Sequence, residues 1–314
     1  MSEILEVKNL KKYFTKNGKT VKSVDDISFD LYKGETLGIV GESGSGKSTL
    51  ARTIAKLTDA TDGEIYFKDE NILKYNKKQT KEYRKELQMI FQDPYSSLNP
   101  RMRCFEIIAE PLKNLTNLSK EEIEKKVLDA ALMSGLSEYH LNRYPYEFSG
   151  GQRQRIGIAR SLVIEPQIVI ADEPTSALDV SIQAQIINLL EDLKKSLGLT
   201  SIFISHDLAV VEHISDRVAV MYLGEIVEMA AADKIFNNPL HPYTKVLISS
   251  IPAKHPFEKK ERIALKGEVP SGTEKFEGCK FAKRCPYAQD ICFSKKPELE
   301  NKKDEHCVRC HFAE

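Results

Sequence analysis

The motif GESGSGKST at residues 41–49 constrains the fold of this chain more than any other feature of its sequence. It fits the pattern G-x-x-x-x-G-K-[ST], and it stands between the strand-like run ETLGIV and a run at 47–56 that is predicted to be helical. Glycines allow backbone N–H groups to curl around an anion, and a helix N-terminus adds partial positive charge. The motif therefore predicts a strand, a loop and a helix that together cradle the phosphates of a nucleotide.

A second motif supplies acids for nucleotide hydrolysis. The run QIVIADE (167–173) places apolar residues before two carboxylates, which is typical of a buried strand that ends at the ligand-binding edge of an α/β sheet. A lone acidic pair at a strand end is more often solvated surface, but the upstream loop favours catalysis. Asp172 is predicted to hold Mg²⁺ with Ser48, Glu173 to act as general base, and Lys47 to contact the β- and γ-phosphates. The candidate nucleotide-binding residues of the loop are Gly41, Ser43, Gly44, Ser45, Gly46, Lys47, Ser48 and Thr49.

The order of strand-like and helix-like runs predicts an α/β fold with a largely parallel sheet. Alternating apolar runs over residues 4–41 are typical of strands, and a mostly helical block at about 93–164 interrupts the later alternation. After Pro239 the composition changes, first to a proline-rich stretch and then to one rich in Lys and Glu. We therefore expect a core domain at 1–250, which contains the helical subdomain, and an appended region at 251–314.

Charge and hydropathy argue against several classes of protein. The 314 residues include 46 basic and 46 acidic side chains, and a net charge of zero argues against a strongly cationic nucleic-acid binder. No apolar run approaches the ~20 residues that a membrane-spanning helix needs. The first residues, MSEILEVKNLKKYF, lack the apolar core of a signal peptide. The expectation is a protein that stays in the cytosol or is a peripheral membrane subunit.

Between the two motifs stands FSGGQRQR (148–155), and here the chain resembles the ATP-binding-cassette (ABC) ATPases, whose signature reads LSGGQ. Further motifs of that family occur in the family's order, with IFQDP before the signature and SALD and ISHD after it. The resemblance, over about residues 4–250, implies a P-loop NTPase of the ABC cassette type, with a mixed-sheet core, an antiparallel β subdomain and a helical subdomain. The site residues that it implies are the Q-loop Gln92, which is catalytic and a Mg²⁺ ligand, the signature residues Ser149, Gly150, Gly151 and Gln152, the D-loop Asp179, and the catalytic switch histidine His206.

The same resemblance implies a head-to-tail dimer, because the chain carries one phosphate loop and one signature. Each ATP would lie between the loop of one subunit and the signature of the other, with Ser149 and Gly151 contacting a γ-phosphate that the partner holds. His206 would contact the γ-phosphate and help to position the attacking water. Tyr13 stands where the family places an aromatic ring that stacks on adenine, and an ordinary strand aromatic in the core is the alternative for this residue.

Within the ABC family the chain resembles the ATPase subunits of oligopeptide and dipeptide importers, and in particular the second of their two ATPases. The residues that carry this resemblance are MIFQDPYSSLNPRM (89–102), HPYTKVLISSIP (241–252), GEVP (267–270) and GCKFAKRCPYAQDIC (278–292). It implies ATP hydrolysis coupled to peptide import at the cytoplasmic face of the plasma membrane. The partners would be a second ABC ATPase, in a heterodimer or alternatively a homodimer, two permeases and, indirectly, an extracytoplasmic binding protein. The helical block after Gln92 would form a groove near residues 93–112 that receives a permease helix.

Two alternatives remain open on the sequence alone. A soluble ABC ATPase that acts on nucleic acid or the ribosome would share the cassette motifs, but such chains usually carry two cassettes or long insertions, and zero net charge suits that role poorly. The ATPase of a nickel or other metal-ion importer belongs to the same subfamily.

Five of the six cysteines lie in the last 36 residues, with the spacing C-x5-C-x6-C-x14-C-x2-C. In a reducing cytosol such a cluster favours a metal site over disulfides. The resembling importer tails carry a four-cysteine set that binds [4Fe–4S] in some members, and its last cysteine precedes a histidine. This implies a cluster held by Cys279, Cys285, Cys292 and Cys310, with Cys307 as an alternative ligand and zinc as an alternative metal. Such a metal would have a structural role, because it would stabilise the fold of a small extension.

Overall fold

The computed structural model of the chain describes residues 2–251, 263, 267, 270 and 272–313. Residues 252–262 and two residues of the GEVP motif, 268 and 269, lie outside the described residues, and all of them are predicted to belong to the C-terminal extension. The strands are β1 (Glu3–Lys16), β2 (Lys19–Tyr32), β3 (Thr36–Val40), β4 (Asp62–Phe67), β5 (Glu70–Asn71), β6 (Leu87–Ile90), β7 (Ile168–Asp172), β8 (Thr200–Ile204), β9 (Arg217–Tyr222), β10 (Glu225–Ala231), β11 (Glu300–Lys303) and β12 (His306–Val308). The α-helices are α1 (Lys47–Ile54), α2 (Lys77–Glu86), α3 (Cys104–Leu115), α4 (Lys120–Met133), α5 (Gly150–Leu162), α6 (Val180–Leu197), α7 (Leu208–Ile214), α8 (Ala232–Asn237), α9 (Pro242–Ser249) and α10 (Asp290–Ser294).

The chain folds into two compact units. The first contains Phe67–Ile204 together with two short N-terminal pieces. The second contains Leu5–Asp30, Thr36–Tyr66 and Ser205–Glu314. The described residues of the C-terminal extension therefore belong to the same unit as the phosphate loop, and the division expected at residue 250 stays a prediction.

In the first unit, buried parallel strands stand beside a helical block. Leu87 of β6 lies opposite Ile168 of β7, which in turn lies opposite Thr200 of β8. Apolar residues at helical spacing in α3, α4 and α5 pack on one another to form the core of this block, as the apolar pattern of the sequence predicts. Residues of this core that are at most 1% exposed include Cys104, Ile107, Ile108, Leu112, Val127, Ala130, Ile156 and Ala159.

The second unit combines a hairpin with a sheet of mixed direction. Strands β1 and β2 are joined at Asn17 and Gly18, both with positive φ, as a tight hairpin turn requires. Strand β3 runs parallel to β9, whereas β10 is antiparallel to both β9 and β12. Glu228 of β10 lies opposite Val308 of β12. The extension thus adds two strands, β12 and then β11, to the sheet of this unit.

Candidate functional site

The predicted phosphate loop lies between β3 and α1 in the second unit. Gly46, the residue before α1, has a φ of 104°, and a Cβ atom there would collide with the carbonyl oxygen of Ser23. Lys47 is 4% exposed, and its ammonium group donates to the carbonyl oxygens of Gly41 and Glu42 at 2.8 and 3.1 Å. The sequence therefore builds the curled loop that the motif predicts, with the lysine folded against it.

Tyr13 and Gly44 line the same cavity of about 1060 Å³. The Tyr13 hydroxyl donates to Asp25 Oδ1 at 2.5 Å, and Lys280 donates to Oδ2 of that carboxylate at 2.9 Å. Burial alone would raise the pKa of Asp25, but the hydrogen bonds from Tyr13 and Lys280 lower it to about 2. Burial and the bond to Asp25 raise the pKa of Tyr13, so the phenol remains a donor. A charged network therefore orients the ring that is predicted to stack on adenine.

The predicted catalytic acids end strand β7 in the first unit. Asp172 is 1% exposed. The backbone N–H of Glu173 donates to the carbonyl oxygen of Ile204 at 2.9 Å, and its φ of 46° is a sparsely populated conformation that clusters at functional sites. Gln92 Nε2 donates to Glu173 Oε2 at 2.9 Å. Two of the three residues predicted to be catalytic are therefore in direct contact.

The SGGQ signature forms the N-terminus of α5, also in the first unit. Ser149 is the N-cap residue, and its hydroxyl accepts from the N–H of Gln152 at 3.4 Å. Gln152 Oε1 accepts in return from the N–H of Ser149 at 3.1 Å, which completes a capping box. The signature thus places the first N–H groups of a helix at one end of α5, where a phosphate would be favourably bound.

Gly151 is required by close packing rather than by its backbone angles, because a Cβ atom there would collide with Cγ2 of Ile182 on α6. We expect Gly151→Ala to lower the free energy of unfolding by about 1–3 kcal/mol, as overpacking does. Gly157, on the same helix, has open space where its Cβ would be, and Gly157→Ala should raise stability by about 0.5–1 kcal/mol through helix propensity. Thermal unfolding of both variants tests this, and equal shifts in the two would contradict it.

Asp179 and His206 stand at the ends of other elements. Asp179 is exposed and precedes α6 in the first unit. His206 is exposed, belongs to the second unit and lies two residues after the end of the buried strand β8. The next residue, Asp207, caps α7 by accepting from the N–H of Ala209 at 3.0 Å. Along the chain, His206 therefore lies between the end of β8 and the start of α7.

Four cysteines of the extension line one cavity of about 300 Å³, and they are the four predicted ligands Cys279, Cys285, Cys292 and Cys310. The N–H of Cys279 donates to the carbonyl oxygen of Cys292 at 2.8 Å. Burial raises the pKa of Cys279 to about 12 and also raises the pKa of Cys285, so these thiols are neutral unless a cation compensates their charge. Cys307 lies on β12 opposite Met229 of β10.

The four cysteines that line this cavity come from two parts of the extension, residues 279–292 and Cys310. Among the residues that the structure describes, no three of these sulfurs all lie within 4.8 Å of one another. The sixth cysteine, Cys104, is fully buried in the helical block, where burial raises its pKa to about 12, as expected of an inert packing residue.

Sequence reasoning missed the contacts that join the extension to the phosphate loop. Arg284, next to the predicted ligand Cys285, forms a two-pronged ion pair with Glu42 of the loop. The backbone N–H of Glu42 also donates to the Tyr243 hydroxyl at 2.9 Å. Phe281 is 1% exposed and packs against Tyr243 with ring centroids 5.4 Å apart. No motif in the sequence pairs Glu42 with Arg284 or with Tyr243, which lie 242 and 201 positions away.

A phosphate loop before α1, acids at the end of β7 and an SGGQ cap on α5 define an ATP-binding cassette, and the chain is an ABC ATPase. Residues 24–176 match the family model of the ABC transporter, and residues 227–292 match that of the oligopeptide/dipeptide transporter, C-terminal region. No helix in the described part of the chain is both long and apolar enough to cross a membrane.

Two related proteins show to which group of ABC ATPases the chain belongs. The oligopeptide transport ATP-binding protein AppF of Bacillus subtilis is 51% identical, over 98% of this chain and 97% of the relative. The oligopeptide transport ATP-binding protein OppF of Haemophilus influenzae is 53% identical, over 97% of this chain and 93% of the relative. The chain therefore belongs to the family of oligopeptide transport ATP-binding proteins, which confirms the resemblance found in the sequence.

A solved structure confirms the predicted cassette fold. The ATP-binding cassette MJ0796, in a dimeric post-hydrolysis state bound to ADP and Pi, is 31% identical and superposes with a TM-score of 0.67. The match covers 73% of this chain and 99% of that structure.

Proposed function

We propose that this chain hydrolyses ATP to drive the import of dipeptides and oligopeptides by a membrane ABC transporter. The observation that carries the proposal is the match of residues 227–292 to the C-terminal region of oligopeptide/dipeptide transporters, in a chain that also carries an ABC cassette. The two relatives described above are named for oligopeptide transport. This function fits better than a nickel or metal-ion importer, or than a soluble ABC ATPase acting on nucleic acid or the ribosome.

In the proposed ATP site, Lys47 contacts the β- and γ-phosphates, Tyr13 stacks on adenine and Glu173 acts as general base. The other proposed contacts to ATP come from the loop residues Gly41, Ser43, Gly44, Ser45, Gly46, Ser48 and Thr49 and from the switch histidine His206. Mg²⁺, held by Ser48, Gln92 and Asp172, would neutralise charge on the phosphates. The contact of Gln92 with Glu173 at 2.9 Å supports this assignment, because it places a Mg²⁺ ligand beside the base.

The proposed active assembly is a dimer with a second ABC ATPase, in which Ser149, Gly150, Gly151 and Gln152 contact the ATP of the partner and Asp179 lies at the interface. The capped helix N-terminus at Ser149 supports this role, since it presents backbone donors beside an accessible serine hydroxyl. Loss of the γ-phosphate on hydrolysis would remove the contact that holds the dimer closed. A heterodimer is the proposal, and a homodimer is its alternative.

The proposed complex also contains two membrane permeases, which would hold this chain at the cytoplasmic face of the plasma membrane, and it works with an extracytoplasmic binding protein. Exposed side chains before and on α3, among them Tyr95 and Arg101, offer a surface for a permease at residues 93–112. The groove in this segment stays a prediction.

We expect Arg101→Glu to uncouple transport from hydrolysis. A reversed charge on the docking surface should lower peptide uptake about fivefold or more, because a mismatched charge disfavours the partner, while basal ATPase activity changes less than about twofold. Lys120→Glu, an equal charge reversal at the exposed start of α4, is the control and should leave both rates unchanged. If uptake and ATPase activity fall together, the segment has a structural role instead.

For the cysteine cavity we propose a structural [4Fe–4S] cluster. A tetrahedral zinc ion with Zn–S bonds of about 2.3 Å would need four sulfurs that all lie about 3.8 Å apart, whereas no three cysteine sulfurs of the described residues lie within 4.8 Å of one another. In a four-iron cluster each thiolate binds a different iron, so wider spacing is required. The spread of Cys279, Cys285, Cys292 and Cys310 around one cavity therefore fits the cluster better than zinc.

ATP-dependent uptake by proteoliposomes that contain the complex purified from membranes tests the proposed function. We expect labelled tripeptide to accumulate, and two multispanning permeases to co-purify with the chain. Accumulation of Ni²⁺ without peptide would overturn peptide import in favour of the metal importer. Co-purification with nucleic acid and without permeases would favour the soluble ATPase.

A further inference from the structure

We propose that the cysteine-rich extension sets the geometry of both ends of the nucleotide site, through Lys280 and Arg284 acting as positioning residues. This inference rests on the ATP site proposed above. The segment between Cys279 and Cys285 carries both cations, and they reach two separate acids, Asp25 and Glu42. One acid holds the aromatic ring proposed for adenine, and the other belongs to the phosphate loop.

Arg284 reaches the phosphate end of the site. Its Nη1 donates to Glu42 Oε2 at 2.8 Å and its Nη2 to Oε1 at 3.1 Å, a two-pronged geometry that only arginine provides. The Arg284 side chain is 7% exposed and that of Glu42 is 26% exposed, so water reaches the pair mainly from the side of the acid. The extension thus holds the second residue of the phosphate loop.

The backbone of Glu42 is held from two further sides. Its N–H donates to the Tyr243 hydroxyl, and its carbonyl oxygen accepts from Lys47. Lys47 is the residue proposed to contact the β- and γ-phosphates. Because Lys47 donates to the Glu42 carbonyl oxygen, a displacement of Glu42 should also displace the Lys47 ammonium group.

Lys280 reaches the adenine end of the site. Its ammonium group bonds to Asp25 Oδ2 at 2.9 Å and to the carbonyl oxygen of Leu223 at 2.9 Å, and it lies 3.1 Å from Glu225 Oε1. The side chains of Asp25 and Glu225 are 8% and 3% exposed, so each needs a nearby cation. Asp25 in turn accepts from the Tyr13 hydroxyl. Lys22 also lies 3.6 Å from Asp25 Oδ2, but its side chain is 54% exposed, so removing the buried Lys280 charge should loosen Asp25 and with it the Tyr13 ring.

The same segment contains its own control. Lys283 lies between the two positioning residues in sequence, but its side chain is 60% exposed and it pairs with Glu274. A variant at Lys283 removes the same charge from the extension without touching Asp25 or Glu42.

The experiment compares Lys280→Met, Arg284→Met and Lys283→Met in the full chain, by measuring Kd for Mg·ATP and for inorganic tripolyphosphate. We expect Arg284→Met to raise both Kd values about tenfold, the effect of losing one charged hydrogen-bonded pair. Lys280→Met should raise the Kd of ATP about tenfold and leave that of tripolyphosphate unchanged, because tripolyphosphate has no base to stack. Lys283→Met should change neither value.

Two further variants keep the test decisive if Arg284→Met fails to fold. Arg284→Lys retains the charge but loses the two-pronged geometry, and it should raise the Kd of ATP about threefold. Glu42→Gln should weaken ATP binding as Arg284→Met does, and the double variant should show no additional loss. The inference would be overturned if the Lys280, Arg284 and Glu42 variants all bound ATP within twofold of wild type. It would also be overturned if Lys283→Met lost as much ATP affinity as those variants. A wild-type chain that binds no ATP would instead contradict the proposed function.

Discussion

Replacing Glu173 with Gln should lower the steady-state rate of ATP hydrolysis by about 10²- to 10⁴-fold, the usual contribution of a positioned general base. The amide has nearly the shape of the carboxylate and keeps an oxygen that can accept from Gln92, but it cannot take the proton of the attacking water. ATP should still bind, because the substitution leaves Lys47 and the other proposed phosphate contacts of the loop unchanged. Phosphate release and the Kd of Mg·ATP, measured on the same preparation, separate the two effects.

The matched control for this prediction is Glu165→Gln. The Glu165 side chain is 74% exposed and pairs with Lys126 on the surface of the helical block, so the same chemical change there should leave the hydrolysis rate within about twofold of wild type. A hydrolysis rate in Glu173→Gln within a few fold of wild type would remove Glu173 from the role of general base. A loss of ATP binding in that variant would show a binding role instead.

The parts of the fold that could be predicted are those in which neighbours in sequence also determine local structure. The loop at 41–46 needs Gly46 in a left-handed conformation, and the helix at Gly150 needs Ser149 and Gln152 as caps; each requirement is met within a few residues. Alternating or buried apolar runs likewise predicted β3 and β7. Glu173 was predicted from the acids that end an apolar strand run, and Gln92 from a motif of a known family, whereas the contact between them was not predicted.

The parts that could not be predicted are pairings between distant segments. Nothing near Glu42 in the sequence indicates that Arg284 will hold it, because ion-pair partners follow from tertiary packing and not from periodicity. The same holds for Tyr13 and Asp25 with Lys280, and for the pairing of β12 with β10. The composition change after Pro239 led us to expect an appended region, whereas these contacts build the described extension into the unit that holds the phosphate loop.

Replacing Cys292 with Ser should remove the metal centre that we propose for the extension. Cys292 is 8% exposed and lines the cavity that the other three proposed ligands share. Wild-type chain purified without oxygen should carry about four irons and four acid-labile sulfides, with broad absorbance in the visible range. With one thiolate lost, we expect iron and sulfide to fall about fourfold or more, and the thermal unfolding temperature to drop, because metal binding contributes to folding of a small segment.

The matched control for the metal prediction is Cys307→Ser, since Cys307 lies on β12 in the same extension and is absent from the described lining of that cavity. Iron and sulfide should match wild type in this variant, which separates loss of a ligand from general damage to the extension. Retention of iron in Cys292→Ser and its loss in Cys307→Ser would assign the fourth ligand to Cys307. About one zinc and no sulfide in wild type would show that zinc, and not an iron–sulfur cluster, stabilises the extension. A metal-free wild type would contradict the proposed metal centre altogether.

Because Arg284 adjoins Cys285, loss of the metal centre should also weaken ATP binding. The Kd of Mg·ATP in Cys292→Ser therefore connects the two proposals for the extension.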